Sequence, residues 1–328
     1  MKDQFGREID YLRISVTDRC NLRCQYCMPA EGIHSLSHNE IMTYEEIVMV
    51  CRCVSQLGLR KIKLTGGEPL VRKGFANLVR EIKRLPNIEE VTLTTNGILL
   101  GEYLAELKEA GLDRINISLD TLDKDKFHEI TRVGELDKVL ESIKKACTMG
   151  FKSIKINSLI MKEWNQIEVA NLAGLAKEYP VSVRFIEMMP IGNGKGFRPV
   201  YQEEIIKSLE KAYGPMKPFY GKIGNGPASY YEINGFQGKI GFISAVSHEF
   251  CDDCNRIRLT SDGNLKLCLQ YKNVLNIKEL IEDGTTEEQL TQMIQEAIFL
   301  KPKKHDFSGI SSNVCDEKET KNMAQIGG

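Results

Sequence analysis

The sequence predicts an α/β fold, a partial (β/α)6 TIM-like barrel with a smaller α+β C-terminal domain. Three observations predict it: strands alternate with helices, each strand has one polar and one apolar face, and the texture of the chain changes near residue 214. Runs rich in β-branched residues, "YLRISVT", "KIKLTGG", "VTLTTNG", "RINISLD", "SIKINSLI" and "VSVRFIEM", are separated by helical stretches of about ten to fifteen residues, the pattern of repeated βα units on a parallel sheet.

The helices carry their own start and stop signals. "TYEEIVMVCRCVSQLG" opens with Thr43 as N-cap and Glu46 three residues on, and closes on Gly58, a capping box followed by a glycine stop. "GEYLAELKEAG" and "LDKVLESIKKACTMG" end on Gly111 and Gly150. The strands alternate where fully buried parallel strands usually read as continuous apolar runs. Leu12, Ile14 and Val16 oppose Arg13, Ser15 and Thr17, and Ile62 and Leu64 oppose Lys61, Lys63 and Thr65. Val91 and Leu93 oppose Thr92, Thr94 and Asn96; the "RINISLD" and "SIKINSLI" runs follow the same rule. Side chains alternate faces along a strand, so the apolar set packs on helices and the polar set faces a hydrophilic lumen. Arg13, Lys63 and Lys155 bring cations into it.

After residue 213, "YGPMKPFYGKIGNGPASYY" reads as loop or linker. "GKIGFIS" and "RIRLTSDGNLKLCL" follow as short strands, the second with an Asp262-Gly263 hairpin signal. The expected division is a barrel over 1–213 and a C-terminal domain over 214–328. The final "ETKNMAQIGG" is polar and glycine-ended, as free tails are.

Composition narrows the function. With 328 residues, 42% hydrophobic, 27% charged and a formal net charge of -1, the chain can bury a sizeable core. Near-zero net charge gives no reason to expect nucleic acid or a membrane as partner. No apolar run nears the roughly 20 residues that span a bilayer, and the N-terminus lacks signal-peptide shape, so the expected location is cytoplasmic. In that reducing compartment the clustered members of the ten cysteines are expected to be metal ligands rather than disulfides.

Two cysteine constellations stand out. Cys20, Cys24 and Cys27 form C-x3-C-x2-C directly after the first strand, where α/β folds place active sites. A structural zinc site wants a fourth ligand nearby. His34 and His38 lie beyond a loop containing Pro29. Three thiolates leave one metal position open, which in an iron-sulfur cluster can bind a small molecule. Cys251, Cys254 and Cys268 form a second triad; zinc is the common reading of C-x2-C with a later Cys, and a second cluster with an open iron is the sharper one. Cys51, Cys53 and Cys147 fall on helices, where Cys behaves as a small hydrophobe; Cys315 reads the same way.

The first triad, with Tyr26 before its last Cys, resembles the signature of the radical S-adenosylmethionine enzymes, and "GGEP" at Gly66 to Pro69 resembles the motif that meets the methionine amino group. The second triad, Asn255-Arg256-Ile257-Arg258 and the run of motifs through "RFIEMMPIG" to Gly327-Gly328 resemble, over essentially the whole chain, the GTP 3',8-cyclase family of molybdenum cofactor biosynthesis. The resemblance implies a lyase with two 4Fe-4S clusters and S-adenosylmethionine. By it, Cys20, Cys24 and Cys27 hold the S-adenosylmethionine cluster, and Cys251, Cys254 and Cys268 hold the second, whose open iron meets guanine. Tyr26, through its backbone, Gly67, Ser118 and Met189 would contact S-adenosylmethionine. Arg13, Lys63, Thr94, Lys155, Arg256, Ile257 and Arg258 would contact GTP. The family commonly has Arg at Lys63, so a planar fork is replaced there by a point charge. The glycine tail resembles one that reaches into the active site.

The implied partners are GTP, an external electron donor of flavodoxin or ferredoxin type and a downstream cyclic pyranopterin monophosphate synthase. A homodimer is compatible. The implied chemistry is cleavage of S-adenosylmethionine, abstraction of the C3' hydrogen of GTP and addition of C3' to C8, giving (8S)-3',8-cyclo-7,8-dihydroguanosine 5'-triphosphate. Two rivals are a peptide-modifying radical enzyme, which usually carries more C-terminal cysteines, and a non-catalytic zinc protein. Metal analysis separates the last: anaerobic protein should be brown with about eight irons per chain, and zinc without iron would exclude both clusters.

Overall fold

The computed structural model describes residues 1–221, 223–272, 274–307 and 318–327. Cys315 and Gly328 lie outside them. The elements run β1 (Tyr11–Ser15), α1 (Tyr44–Gln56), β2 (Lys61–Thr65), α2 (Phe75–Arg84), β3 (Glu90–Thr95), α3 (Leu100–Glu109), β4 (Arg114–Ser118), α4 (Lys124–Thr131), α5 (Leu136–Cys147), β5 (Ser153–Leu159), α6 (Val169–Glu178) and β6 (Ser182–Ile186). They continue with α7 (Gln202–Tyr213), β7 (Met216–Phe219), β8 (Ser229–Ile233), β9 (Ile240–Ile243), β10 (Arg256–Leu259), β11 (Asn264–Lys266), β12 (Leu275–Asn276), α8 (Ile277–Glu282), α9 (Glu287–Phe299) and α10 (Met323–Ile326).

β1 to β6 are parallel and neighbour one another in chain order, as the βα pattern predicts. Thr43 caps α1 in a complete capping box with Glu46. Gly58, Gly111 and Gly150, each at positive φ, follow α1, α3 and α5 at the left-handed position that ends a helix. Leu12, Ile14, Ile62, Leu64, Val91, Leu93, Ile115 and Ile117 are fully or almost fully buried in one continuous apolar core beneath the helices, and the alternate residues are left to the opposite face.

The C-terminal strands extend this sheet at both edges. β10 pairs parallel with β1, and β9 pairs parallel with β6. β11 and β12 continue antiparallel beyond β10; β8 and β7 do so beyond β9. The packing of Phe185 against Phe242, ring centroids 6.0 Å apart, joins β6 to β9 on the apolar core face of the sheet. A division at 213/214 is our proposal for domain organisation, with a hydrogen-bonded sheet running across it. The segment expected as linker is partly strand, since β7 and the start of β8 lie inside it. β7 sits at the sheet edge, where Pro218 forfeits no ladder hydrogen bond, so a proline-bearing run can still pair. The Asp262-Gly263 hairpin forms as expected between β10 and β11, with Gly263 at φ 80.

Candidate functional site

The cysteine loop after β1 is zipped to the "GGEP" segment after β2. Val16 N donates to Thr65 O (2.8 Å), Gly67 N to Thr17 O (2.7 Å) and Glu68 N to Arg19 O (2.8 Å). A Cβ on Gly67 would lie 2.4 Å from Arg19 O, and one on Gly66 2.6 Å from Thr17 O. Glycine is therefore a packing requirement here, because it lets two backbones meet directly in front of Cys20. Glu68, 0% exposed, accepts from Leu70 N (3.1 Å), Thr95 Oγ1 (2.8 Å) and Asn96 N (2.7 Å). Burial pushes its carboxyl up to about 7 against the pull of those donors. Asn96, so held, donates to Asn21 Oδ1 (2.8 Å) and approaches Cys20 Sγ at 3.8 Å. Sequence reasoning noted "GGEP" but not this connection from its glutamate to the first cysteine.

Cys20, Cys24 and Cys27 line one cavity of roughly 240 Å³ together with Tyr26, Gly67, Ser118 and Met189. Tyr26 is fixed by its hydroxyl, which donates to Asp120 (2.7 Å), a carboxylate that also accepts from Leu159 N (2.8 Å). Thus "ISLD" orients the aromatic residue next to Cys27. Burial pushes the Cys20 thiol up to about 11 and the Cys27 thiol up to about 12, and Cys24 rises well above the ordinary value as its two neighbours add repulsion. Buried, mutually repelling thiolates fit a cationic metal centre that would offset both costs. Among the described residues no three His, Cys, Asp or Glu side chains converge on a single-ion site. A cluster that takes one thiolate per iron does not require that convergence, so the donor set fits iron-sulfur chemistry.

The strand register builds the cationic lumen. Arg13 lies between Arg258 and Lys63 on adjacent strands, and Asn116 lies between Thr94 and Lys155. Partners across a ladder share a face, so the residues expected to face inward do so. Arg184 on β6 joins them, its guanidinium donating to Asn157 Oδ1 (2.8 Å) and Asn116 Oδ1 (3.0 Å). Its signal was present in the sequence, because Val183 and Phe185 flank it with core side chains. Among the described residues none of Arg13, Lys63, Lys155, Arg184, Arg256 and Arg258 is ion-paired with a carboxylate.

The consequence is a strained set of charges. Lys63 is driven well below the usual lysine range by burial and then by Arg13, Arg184, Lys155 and Arg256. Burial and neighbouring cations bring Lys155 to about 7 and Arg258 to about 9, and burial brings Arg13 to about 10. Arg13 Nε is buried with no hydrogen-bond partner. Arg13, Thr94 and Arg258 line the cavity of the first cysteines; Lys63, Lys155 and Arg256 do not. Ile257 differs from the expectation: it is 0% exposed in the apolar core, because alternation along β10 turns it away from Arg256 and Arg258. Only its backbone is left for a ligand.

Cys251, Cys254 and Cys268 lie at the other side of Arg256. Cys254 N donates to Cys251 O (3.2 Å), and Arg256 Nη2 stands 4.0 Å from Cys254 Sγ. Burial raises the Cys254 thiol, but Lys301 and Arg256 outweigh it and bring it down to about 7. Arg7 donates to Cys251 O (2.8 Å) and Lys303 O (2.7 Å), and buried Lys301 donates to Arg256 O (2.9 Å). Neither residue carried a sequence signal, being far along the chain from what it holds. Met323 and Ala324 of the tail line the first cavity, and Arg258 Nη1 donates to Gly327 O (3.2 Å).

A GTP 3',8-cyclase of Clostridium perfringens (strain 13 / Type A) is 48% identical over 329 residues, covering all of both chains. The chain belongs to the GTP 3',8-cyclase family. A GTP 3',8-cyclase of Pelotomaculum thermopropionicum is 44% identical over 331 residues, again covering all of both chains. The Radical SAM superfamily model matches residues 14–176 and the Molybdenum Cofactor Synthesis C model residues 181–307. In fold, the chain is similar to Streptococcus suis SuiB bound to S-adenosylmethionine, with a TM-score of 0.60 and 15% identity over 87% of this chain and 68% of that one.

The zipped backbones make one outcome specific to this family member's site. Gly67→Ala is expected to cost about 1–3 kcal/mol and to lower iron incorporation at the first cysteines, read by denaturant unfolding and iron content. Wild-type values for both would contradict the close approach as the reason for glycine.

Proposed function

We propose that the chain performs the family's reaction, radical cyclisation of GTP to (8S)-3',8-cyclo-7,8-dihydroguanosine 5'-triphosphate, in the lumen between its two cysteine triads. As a member of the radical S-adenosylmethionine superfamily the enzyme uses a 4Fe-4S cluster and S-adenosylmethionine, and its family reaction is the first step of molybdenum cofactor biosynthesis. The finer assignments are ours. Cys20, Cys24 and Cys27 would hold the first cluster, with Tyr26, Gly67, Ser118 and Met189 around S-adenosylmethionine. Cys251, Cys254 and Cys268 would hold a second 4Fe-4S cluster that faces the guanine base.

One observation carries the substrate assignment: six cations, Lys155 and Arg184 buried and Arg13, Lys63, Arg256 and Arg258 half-buried, share one face of the sheet with no carboxylate ion pair among the described residues. A triphosphate supplies the missing charge, and arginine forks such as Arg13, Arg184 and Arg258 can take its oxygens pairwise. Lys63 and Lys155 contribute point charges, held deep by the sheet. Arg256, set between the Cys254 thiol and the lumen, fixes the end at which the base would lie. The orientation so imposed brings C3' toward the first cysteines and C8 within reach of C3'. When bound, the reduced cluster and S-adenosylmethionine supply the species that removes the hydrogen. The residues' share is orientation and exclusion of solvent, to which Met323 and Ala324 of the tail add as part of the cavity lining. A peptide would leave the cations without a counter-charge. We also propose an external donor of flavodoxin or ferredoxin type, a downstream cyclic pyranopterin monophosphate synthase and a homodimeric state.

Anaerobically reconstituted enzyme given S-adenosylmethionine, reductant and GTP deuterated at C3' should carry the deuterium into 5'-deoxyadenosine. Unlabelled 5'-deoxyadenosine alongside cyclised product would overturn the orientation. Cys268→Ser should spare S-adenosylmethionine cleavage and impair cyclisation; full cyclisation would remove the role given to the second triad.

A further inference from the structure

The polar face of the sheet is closed at its amino end by the connection between β7 and β8. Glu90 and Arg114 are the first residues of β3 and β4, at the end of the parallel sheet opposite to the one from which the first cysteine loop leaves β1. Both stand on the polar face, in step with Thr94 and Asn116 two and four residues along their strands. Glu90 accepts from Arg114 through one carboxylate oxygen and from Asn225 Nδ2 (2.7 Å) through the other. Ile223 O accepts from Arg114 Nη1 (3.2 Å) and from Lys155 Nζ (2.9 Å). The connection is therefore held at two points, by a carbonyl at Ile223 and by a side chain at Asn225.

The two cations that meet at Ile223 O differ in what else they have. Arg114 is matched by Glu90. Lys155 has the carbonyl, whose dipole directs an ammonium without neutralising it, and the ring of Tyr230 on β8, 5.9 Å from Nζ to centroid. An ammonium has three donors, and the hydrogen bond to Ile223 leaves two for a ligand. Gly224 accounts for the nearness of the backbone. A Cβ built there would overlap Lys155 Nζ, with Lys155 Cε next at 3.7 Å, and, chain neighbours aside, no other described residue comes within 4 Å. Gly224 is not among the glycines at positive φ, so its backbone would accept alanine, and the added methyl would meet only the end of one flexible side chain.

We propose that the connection at Ile223–Asn225 is the positioning element that aims Lys155 at the triphosphate, with Gly224 as the residue that leaves room for its ammonium. The inference rests on the reading of Lys155 as a triphosphate contact. A lysine head on its four-carbon stem gives up rotamer freedom when it meets a ligand. A carbonyl and a ring that hold it beforehand leave less freedom to be lost on binding. Lys155 lies outside the cavity of the first cysteines, so the element acts at the end of the lumen away from them.

The test uses the full chain, reconstituted anaerobically, with dissociation constants for GTP and for S-adenosylmethionine measured by calorimetry. Lys155→Ala is expected to weaken GTP binding roughly tenfold or more, the scale of a lost hydrogen bond to a charged group. Gly224→Ala, which pushes the ammonium off its carbonyl, and Asn225→Ala, which frees the segment from Glu90, are expected to weaken it in the same direction by smaller factors. Both leave S-adenosylmethionine binding at its wild-type value. The double variant Lys155→Ala with Gly224→Ala is expected to bind GTP as Lys155→Ala alone does, because the methyl has no ammonium left to displace. Wild-type GTP affinity in Gly224→Ala or in Asn225→Ala, with Lys155→Ala weakened, overturns the positioning role. So does a double variant in which the two losses multiply, or an equal loss of S-adenosylmethionine affinity in Gly224→Ala, each being the mark of general structural damage. Wild-type GTP affinity in Lys155→Ala overturns the triphosphate reading itself, a distinguishable failure.

Discussion

The electrostatic repulsion among the cations of the lumen is the constraint on which the rest of the structure depends. Arg13, Lys63, Lys155, Arg184, Arg256 and Arg258 share one face of the sheet, and the costs appear as depressed lysines and arginines and an orphaned Arg13 Nε. A fold would not keep such a set for its own stability, since buried charges without partners are expensive. A bound polyanion such as the triphosphate proposed above would supply compensating charge. Parallel strands in register make the arrangement possible, because a single rung sets Arg258, Arg13 and Lys63 side by side.

The thiolates obey the complementary rule. Cys20, Cys24 and Cys27 are held where burial and mutual repulsion disfavour their charged forms, and a cationic metal centre, as proposed above, would offset that cost for the thiolates. Their loop gains its shape from backbone contacts with Gly66 and Gly67 and from Glu68, which reaches Cys20 through Asn96. Thiols and two of the cations, Arg13 and Arg258, thus line one cavity. Arg258 touches both sides of the problem, since it belongs to the cationic rung and donates to Gly327 O of the tail, whose Met323 and Ala324 line the cavity beside Cys27.

Much of this was legible in the sequence because its determinants are local. The βα alternation, the Thr43 capping box and the two-residue periodicity of the strands depend on neighbours in the chain, and they returned the parallel sheet, the helix boundaries and the inward turn of Arg13, Lys63, Thr94, Ser118 and Lys155. The parts that were not legible depend on contacts between distant segments. Nothing in the surroundings of Arg7 or Lys301 announces that each will brace the second triad, and Glu319 reads as one more charge in a polar tail until Lys266 is seen opposite it. β7 was hidden for a different reason: proline and glycine signal loops, and only its edge position allows Pro218 in a strand. Ile257 shows what periodicity adds to a motif, since the residue between Arg256 and Arg258 turns its side chain into the core and leaves only its backbone for a ligand.

The most direct measurement of the central claim is calorimetric binding of GTP at pH 8 in two buffers of different ionisation enthalpy. Lys155, held near 7 by burial and by Arg184 and Arg114, is mostly neutral at that pH. A bound triphosphate favours its charged form and raises its pKa, so binding must draw protons from the buffer. The account predicts net proton uptake at pH 8 that diminishes at pH 6, where Lys155 is already charged. Binding with no uptake at pH 8, or with proton release, would contradict a lumen whose repelling cations await a polyanion.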